Sequence, residues 1–246
     1  MRGRVLVVDD HVLVAVGSQL SLTARGWDVE TTSGPTALDV VAHAERFQPQ
    51  CVLLDISLGG GVGSGIDLVR PLLATGAQVV MLTGERRRMI LAECIEAGAA
   101  GWIGKSADID QVDSSLEHVI GGGALIARND RAALLDELWL ERARTSRASE
   151  NFDRLTKREA LVLSELLDGS SAEEIAEVHY VALTTVRSQI RAVLQKLGVR
   201  SQLAAVALAG SHLDLLPQEV QAGRDRRRGG QTVISRSRRA PHISAA

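Results

Sequence analysis

The chain has 246 residues, 45% apolar and only 2% aromatic, with a formal net charge of −2. That is room for two modest domains, whose cores must be built from Leu, Val, Ile and Ala. Two cysteines without metal or disulfide spacing, no apolar run near the ~18 residues of a membrane span, and a first strand at the start of the chain argue against a disulfide scaffold, a zinc module, a membrane protein and a signal peptide, and predict a cytoplasmic protein.

In chain order, the first apolar run is Val5-Leu6-Val7-Val8, closed by Asp9-Asp10. Helix-period stretches at 12–25 and 35–46 precede a second apolar run, Cys51-Val52-Leu53-Leu54, closed by Asp55. A helix at 65–74 leads to Val79-Val80-Met81-Leu82, closed by Thr83, and one at 86–97 leads to Gly101-Trp102-Ile103-Gly104, closed by Lys105. A fifth helix, 109–121, ends at three glycines. Unbroken apolar runs of this length read as strands buried on both faces, the mark of parallel pairing. With Gly26, Gly76 and Gly98 as helix ends before the next strand, the alternation predicts an α/β domain over 1–127. Its sheet is doubly wound, parallel and five-stranded.

Residues 128–151 predict a linker, a charged amphipathic helix at 131–144 followed by the polar break Thr145–Asn151. Residues 152–216 predict an all-α four-helix domain with helices at 156–167, 171–178, 183–197 and 201–216. Thr156 with Glu159 and Ser171 with Glu174 are capping boxes that open the first two. The last is apolar along Leu203, Val206, Leu208, Leu213 and Leu216. Residues 217–246 carry 7 Arg against 2 acids without periodicity and predict a basic disordered tail.

Ligands of doubly wound sheets bind beyond the carboxyl ends of the strands, where Asp9, Asp10, Asp55, Thr83 and Lys105 therefore converge. Clustered carboxylates repel unless a divalent cation neutralises them, and Mg²⁺ takes one or two carboxylates together with water and phosphate oxygens. A Lys opposite supplies a point charge for a phosphoryl group, and a Thr hydroxyl can donate to it. An Asp carboxylate can itself be the nucleophile that forms an acyl phosphate. Two competing motifs fail: Trp102 and Ile103 fill what should be an open phosphate cradle before Lys105, and Ile66 breaks a dinucleotide glycine pattern in 59–65. The glycine run reads as a flexible loop.

Residues 1–127 resemble the receiver domain of two-component response regulators, on Val7-Val8-Asp9-Asp10-His11, Leu53-Leu54-Asp55, Leu82-Thr83 and Ala97 through Lys105. The resemblance implies Asp55 as phosphoacceptor. It implies Mg²⁺ held directly by Asp10 and Asp55, through water by Asp9, and by the backbone carbonyl of Ser57. It also implies Thr83 and Lys105 on the phosphoryl group, and Trp102 as a switch aromatic whose rotamer follows Thr83. This chain departs from the family's usual Met-Pro after the acceptor, carrying Leu58-Gly59 and an extended glycine loop instead, and Ser106 follows Lys105 where Pro is common.

Residues 155–209 resemble the LuxR-type DNA-binding domain, on Leu155 through Glu159, Gly169, Glu174-Ile175-Ala176, Thr185-Val186-Arg187, Ile190 and Lys196 through Ser201. From Val178 to Leu213 there is no acid, and Arg187 and Arg191 lie four apart on one helix face. Thr184, Thr185, Arg187, Ser188, Arg191, Lys196 and Arg200 are the candidate DNA contacts. Val186, Ile190, Val193 and Leu197 are core by spacing, and Ala182 stands where a Ser or Thr cap is usual. The pair of domains resembles the NarL/FixJ subfamily. It implies a transcriptional regulator and not an enzyme, a histidine kinase as phosphodonor, double-stranded DNA as target and a homodimer on two half-sites. Two other readings stay open: a phosphorylation-independent regulator gated by a partner at the glycine loop, and a metal-dependent phosphatase, against which Ser57 stands where a second carboxylate is usual.

Overall fold

The apolar run after Arg4 offers no polar face to water, and in the computed structural model it becomes strand β1 (Arg4–Val8), buried at its last four positions. The structure describes residues 2–32, 34–59, 63–85 and 87–220. These divide into two compact units at Leu140/Glu141.

In the first unit β1 is followed by α1 (Val12–Thr23), β2 (Asp28–Thr32), α2 (Ala37–Phe47) and β3 (Cys51–Asp55). After a short hairpin, β4 (Ser57–Leu58) and β5 (Gly63–Ser64), come α3 (Gly65–Ala74), β6 (Gln78–Thr83), α4 (Arg88–Ala97), β7 (Gly101–Gly104) and α5 (Ile109–Ile120). The large sheet has the order β2-β1-β3-β6-β7 with every pair parallel. Side-chain alternation splits it into two apolar faces. Leu6, Val8, Val52, Leu54, Val79 and Met81 lie under α2, α3 and α4. Val5, Val7, Leu53, Val80, Leu82 and Ile103 lie under α1 and α5.

The glycine run differs from a plain loop. Ser57 and Leu58 pair antiparallel with Ser64 and Gly63, and Leu58 is buried, which anchors the hairpin to the core. Residues 60–62 of that run lie outside the described residues.

The linker differs more. A single helix, α6 (Arg128–Asp153), spans 26 residues and runs through the expected polar break. Thr145–Asn151 holds neither Gly nor Pro, so nothing in it ends a helix, and Ala148 within it and Phe152 just after it are buried. The part up to Leu140 packs with the first unit, so the compact unit extends past the expected boundary at 127.

The second unit contains α7 (Lys157–Leu167), α8 (Ala172–Val178), α9 (Leu183–Leu197) and α10 (Gln202–Ser211). Both expected capping boxes form, with Thr156 and Glu159 and with Ser171 and Glu174 bonded reciprocally. Val186, Ile190, Val193 and Leu197 form the buried stripe of α9, and Ala182 caps it without a side-chain bond. The last helix is shorter than the expected 201–216. It ends at Ser211, and Leu213–Leu215 forms a 3-10 turn. Its buried residues are Ala205 and Ala209, whereas Leu203 is 79% exposed. Small side chains let this helix approach α7 and α9 closely, which turns the larger Leu203 outward. Packing continues past 216: Val220 is buried and its carbonyl accepts from Ser164 Oγ at 3.2 Å. The rest of the expected tail, 221–246, lies outside the described residues. Among the described residues no helix is long and apolar enough to cross a membrane.

Candidate functional site

Parallel pairing brings the ends of β1, β3, β6 and β7 to one edge of the sheet. Asp9 and Asp55 are 1% and 3% exposed there, and Asp10 faces solvent. Lys105 Nζ lies 2.8 Å from Asp9 Oδ2 and 2.9 Å from Asp55 Oδ2. Both of those oxygens are buried and, among the described residues, take no well-directed hydrogen bond. The ion pair is what compensates them, because a charge interaction does not need a linear geometry. Burial alone would lower the Lys105 pKa, but the bonds and charges of Asp55 and Asp9 outweigh it and raise it above the usual value.

Asp10 is oriented by a backbone donor, Gly59 N to Asp10 Oδ2 at 3.0 Å. Partial burial pushes its carboxyl up. The Gly59 N–H and His11 outweigh this and hold it below 3.8. His11 Nδ1 sits 2.8 Å from Asp10 Oδ1 and 3.2 Å from Asp9 Oδ1. One oxygen or nitrogen from each of Asp9, Asp10, His11 and Asp55 falls within 4.8 Å of all the others. A buried carboxylate pair whose two negative charges face a single ammonium, joined by the exposed Asp10, fits a hard divalent cation such as Mg²⁺.

Thr83 is 4% exposed, and its Oγ1 accepts from Glu85 N at 2.9 Å. Lys105 N donates to Thr83 O at 3.0 Å, tying the two phosphoryl-handling candidates together through backbone. Trp102 is half-buried and borders both the sheet core and a cluster with α6. Ser57 stands on the hairpin with an exposed side chain.

Two residues of the site do more than the motifs assign them. His11 closes the Asp9-Asp10-His11 run; its backbone N–H donates to Asp9 Oδ1 at 2.8 Å, and its ring reaches both carboxylates. Gly65 starts α3, where a Cβ would lie 1.9 Å from the carbonyl oxygen of Asp55. Its signal is hidden in the sequence, because it is the last member of the glycine run 59–65 and reads there as part of a loop.

In the second unit Thr184, Thr185, Arg187, Ser188 and Arg191 are all exposed on α9, and Arg200 is exposed just after it. Gln195 extends the same face at helical spacing. Arg187 pairs with Glu173 at 3.0 Å, a surface contact of little strength. Lys196 is placed apart from the others. It is half-buried, and its Nζ lies 2.6 Å from Glu159 Oε2 of the α7 capping box.

Comparison with known proteins agrees with this layout. Residues 5–117 match the response regulator receiver domain, and residues 153–209 match the bacterial regulatory proteins of the luxR family. The transcriptional regulatory protein MctR of Rhizobium johnstonii is 32% identical over 85% of this chain and 94% of its own. The nitrate/nitrite response regulator protein NarP of Escherichia coli is 32% identical over 83% of this chain and 93% of its own. The transcriptional regulatory protein ComA of Bacillus subtilis is 26% identical over 85% and 97%. With both domains matched in order along nearly the full length of such relatives, the chain belongs to the DNA-binding response regulators of NarL/FixJ type, a receiver domain followed by a LuxR-type helix-turn-helix domain.

Proposed function

We propose that Asp55 accepts a phosphoryl group from a histidine kinase and that the modified receiver shifts dimerisation and promoter binding by the second unit. The observation that carries this reading is Lys105 Nζ within 3 Å of both buried carboxylates, Asp9 and Asp55. An Asp55 carboxylate oxygen attacks phosphorus, the P–N bond of the donor phosphohistidine breaks, and the donor imidazole leaves with the electron pair and takes up a proton. Lys105 releases its hold on Asp55 as the new dianionic phosphoryl group takes over the ammonium, and the Thr83 hydroxyl donates to a phosphoryl oxygen. Asp10 and Asp55, with Asp9 behind them and the Ser57 carbonyl beside them, would hold Mg²⁺. When bound, the ion neutralises charge that develops on the transferring oxygens.

On the output side Thr184, Thr185, Arg187, Ser188, Arg191 and Arg200 face double-stranded DNA. Lys196 supports the α7 cap instead of reaching for the duplex. With −1 net over 151–216, one copy binds weakly, and two copies on two half-sites supply the affinity.

The test is acyl-phosphate formation with a small phosphodonor and Mg²⁺, followed by DNA binding with the native chain and Asp55→Asn. Label on the native chain alone, with tighter DNA binding, is the expected result. Label that persists on Asp55→Asn would remove the acceptor assignment. DNA binding indifferent to the donor would favour the phosphorylation-independent regulator. Arg187→Ala and Arg191→Ala should each weaken binding by about 1–3 kcal/mol.

A further inference from the structure

The turn between α8 and α9 carries the chain's single tyrosine, Tyr180, and leaves it 96% exposed. Tyr180 helps to close α8: its N–H donates to Glu177 O at 3.3 Å, and Val181 N donates to Ala176 O at 3.0 Å. This pair of bonds needs a left-handed residue between the helix and Val181, and Tyr180 supplies it with φ +50°. Glycine meets that need without strain, and the chain uses it after both flanking helices, Gly169 after α7 and Gly198 after α9. A bulky aromatic in this conformation is an outlier.

The residues on either side of Tyr180 are committed to packing. His179 Nε2 lies 3.4 Å from Glu165 Oε1 on α7, and Val181 packs against the cluster that holds Ile175 and Val186. An almost fully exposed phenol adds nothing to that core, so the fold of the second unit gives no reason for a tyrosine at 180. Its place along the chain gives one. Tyr180 comes four and five positions before Thr184 and Thr185, the first exposed polar residues of α9. Val181, Ala182 and Leu183 between them have no polar side chain, and the Ala182 cap makes no side-chain bond. When the start of a recognition helix enters a major groove about 12 Å wide, the segment leading into it passes a groove wall of phosphate and sugar. No acid lies between Val178 and Leu213 to repel that wall.

We propose that Tyr180 is a contact to the DNA backbone outside the recognition helix. Its hydroxyl donates to a phosphate oxygen on the groove wall, and its ring covers the adjoining sugar. The contact is uncharged and independent of sequence, and it sets the register in which α9 meets the bases. The inference rests on α9 facing double-stranded DNA.

The test uses the full chain with two duplexes, one selected by the native chain from a random pool and one of random sequence. Tyr180→Phe removes only the hydroxyl. It should weaken binding to both duplexes about 5-fold or more, with an unchanged salt slope, because a neutral donor displaces no counterion. Tyr180→Gly should weaken binding at least as much while unfolding at the native temperature or above, since glycine relieves the left-handed strain. With 3-fluorotyrosine incorporated, the single ¹⁹F resonance should shift when either duplex is added. Unchanged affinity in Tyr180→Phe would overturn the proposal, as would an unmoved resonance or a loss confined to the selected duplex. A binding loss in Tyr180→Gly matched by a lower unfolding temperature would make Tyr180 structural and overturn it too. Native binding indifferent to Arg187→Ala with Arg191→Ala, or no duplex binding by the native chain, would overturn the reading of α9 itself, and the Tyr180 contact with it.

Discussion

Lys105 bridges two buried carboxylates that lie 46 positions apart in the chain, and it can do so only because β7 ends level with β1 and β3. Replacing it with Met leaves Asp9 Oδ2 and Asp55 Oδ2 without a counter-charge. The unfolding free energy should fall by about 1–3 kcal/mol, the cost of stranding a buried polar group. Mg²⁺ should then stabilise Lys105→Met more than the native chain, since a cation substitutes for the lost ammonium. Equal thermal shifts with Mg²⁺ in the two proteins would count against a shared cation site. Gly65 acts through space alone. Gly65→Ala would force a methyl into the Asp55 carbonyl, so the start of α3 or the end of β3 must move. The expected result is a loss of about 1–3 kcal/mol and impaired acyl-phosphate formation at unchanged Asp55. Native labelling kinetics in that variant would show that the hairpin absorbs the shift.

At the scale of elements, α7 depends on a cap that doubles as an ion pair. Glu159 accepts from Thr156 N at 2.7 Å and from Lys196 Nζ at 2.6 Å on α9. Burial would raise its pKa, yet Lys196 and Thr156 outweigh burial and hold it below 4.5. A depressed carboxyl contributes its stability above the unfolded value and loses it as pH falls through the folded one. Native stability should therefore exceed that of Glu159→Gln at neutral pH by about 1 kcal/mol, and the two should converge as the solution is acidified below about 4.5. Denaturant unfolding of both proteins across that range measures this, and a constant gap would assign the effect to packing. The capping boxes were legible as four-residue patterns because a cap is a local device. The Lys196 bond was not, since it spans 37 positions.

At the scale of the molecule, charge is distributed unevenly, with 9 Lys/Arg against 15 Asp/Glu in residues 1–127 and seven Arg against one acid in 221–246. Deleting 221–246 should weaken binding to all duplexes alike and flatten its salt dependence, by roughly 0.9 in log–log slope per phosphate released. An unchanged slope would make that segment a bystander. The sequence by itself determined the parallel sheet, because unbroken Val/Leu runs have only one way to be buried on both faces. It also determined the acidic edge, because strand ends in such a sheet must meet there. The extent of α6 was readable only from tertiary structure. Its middle is polar, with Trp139 and Leu140 exposed, and the residues that anchor it, Leu134, Leu138, Ala148 and Phe152, are buried by helices distant in the chain. The same holds for the stripe of α10, where close approach selected Ala205 and Ala209 over the larger Leu203. Periodicity reports which residues are apolar, and only packing decides which of them a neighbour has room to cover.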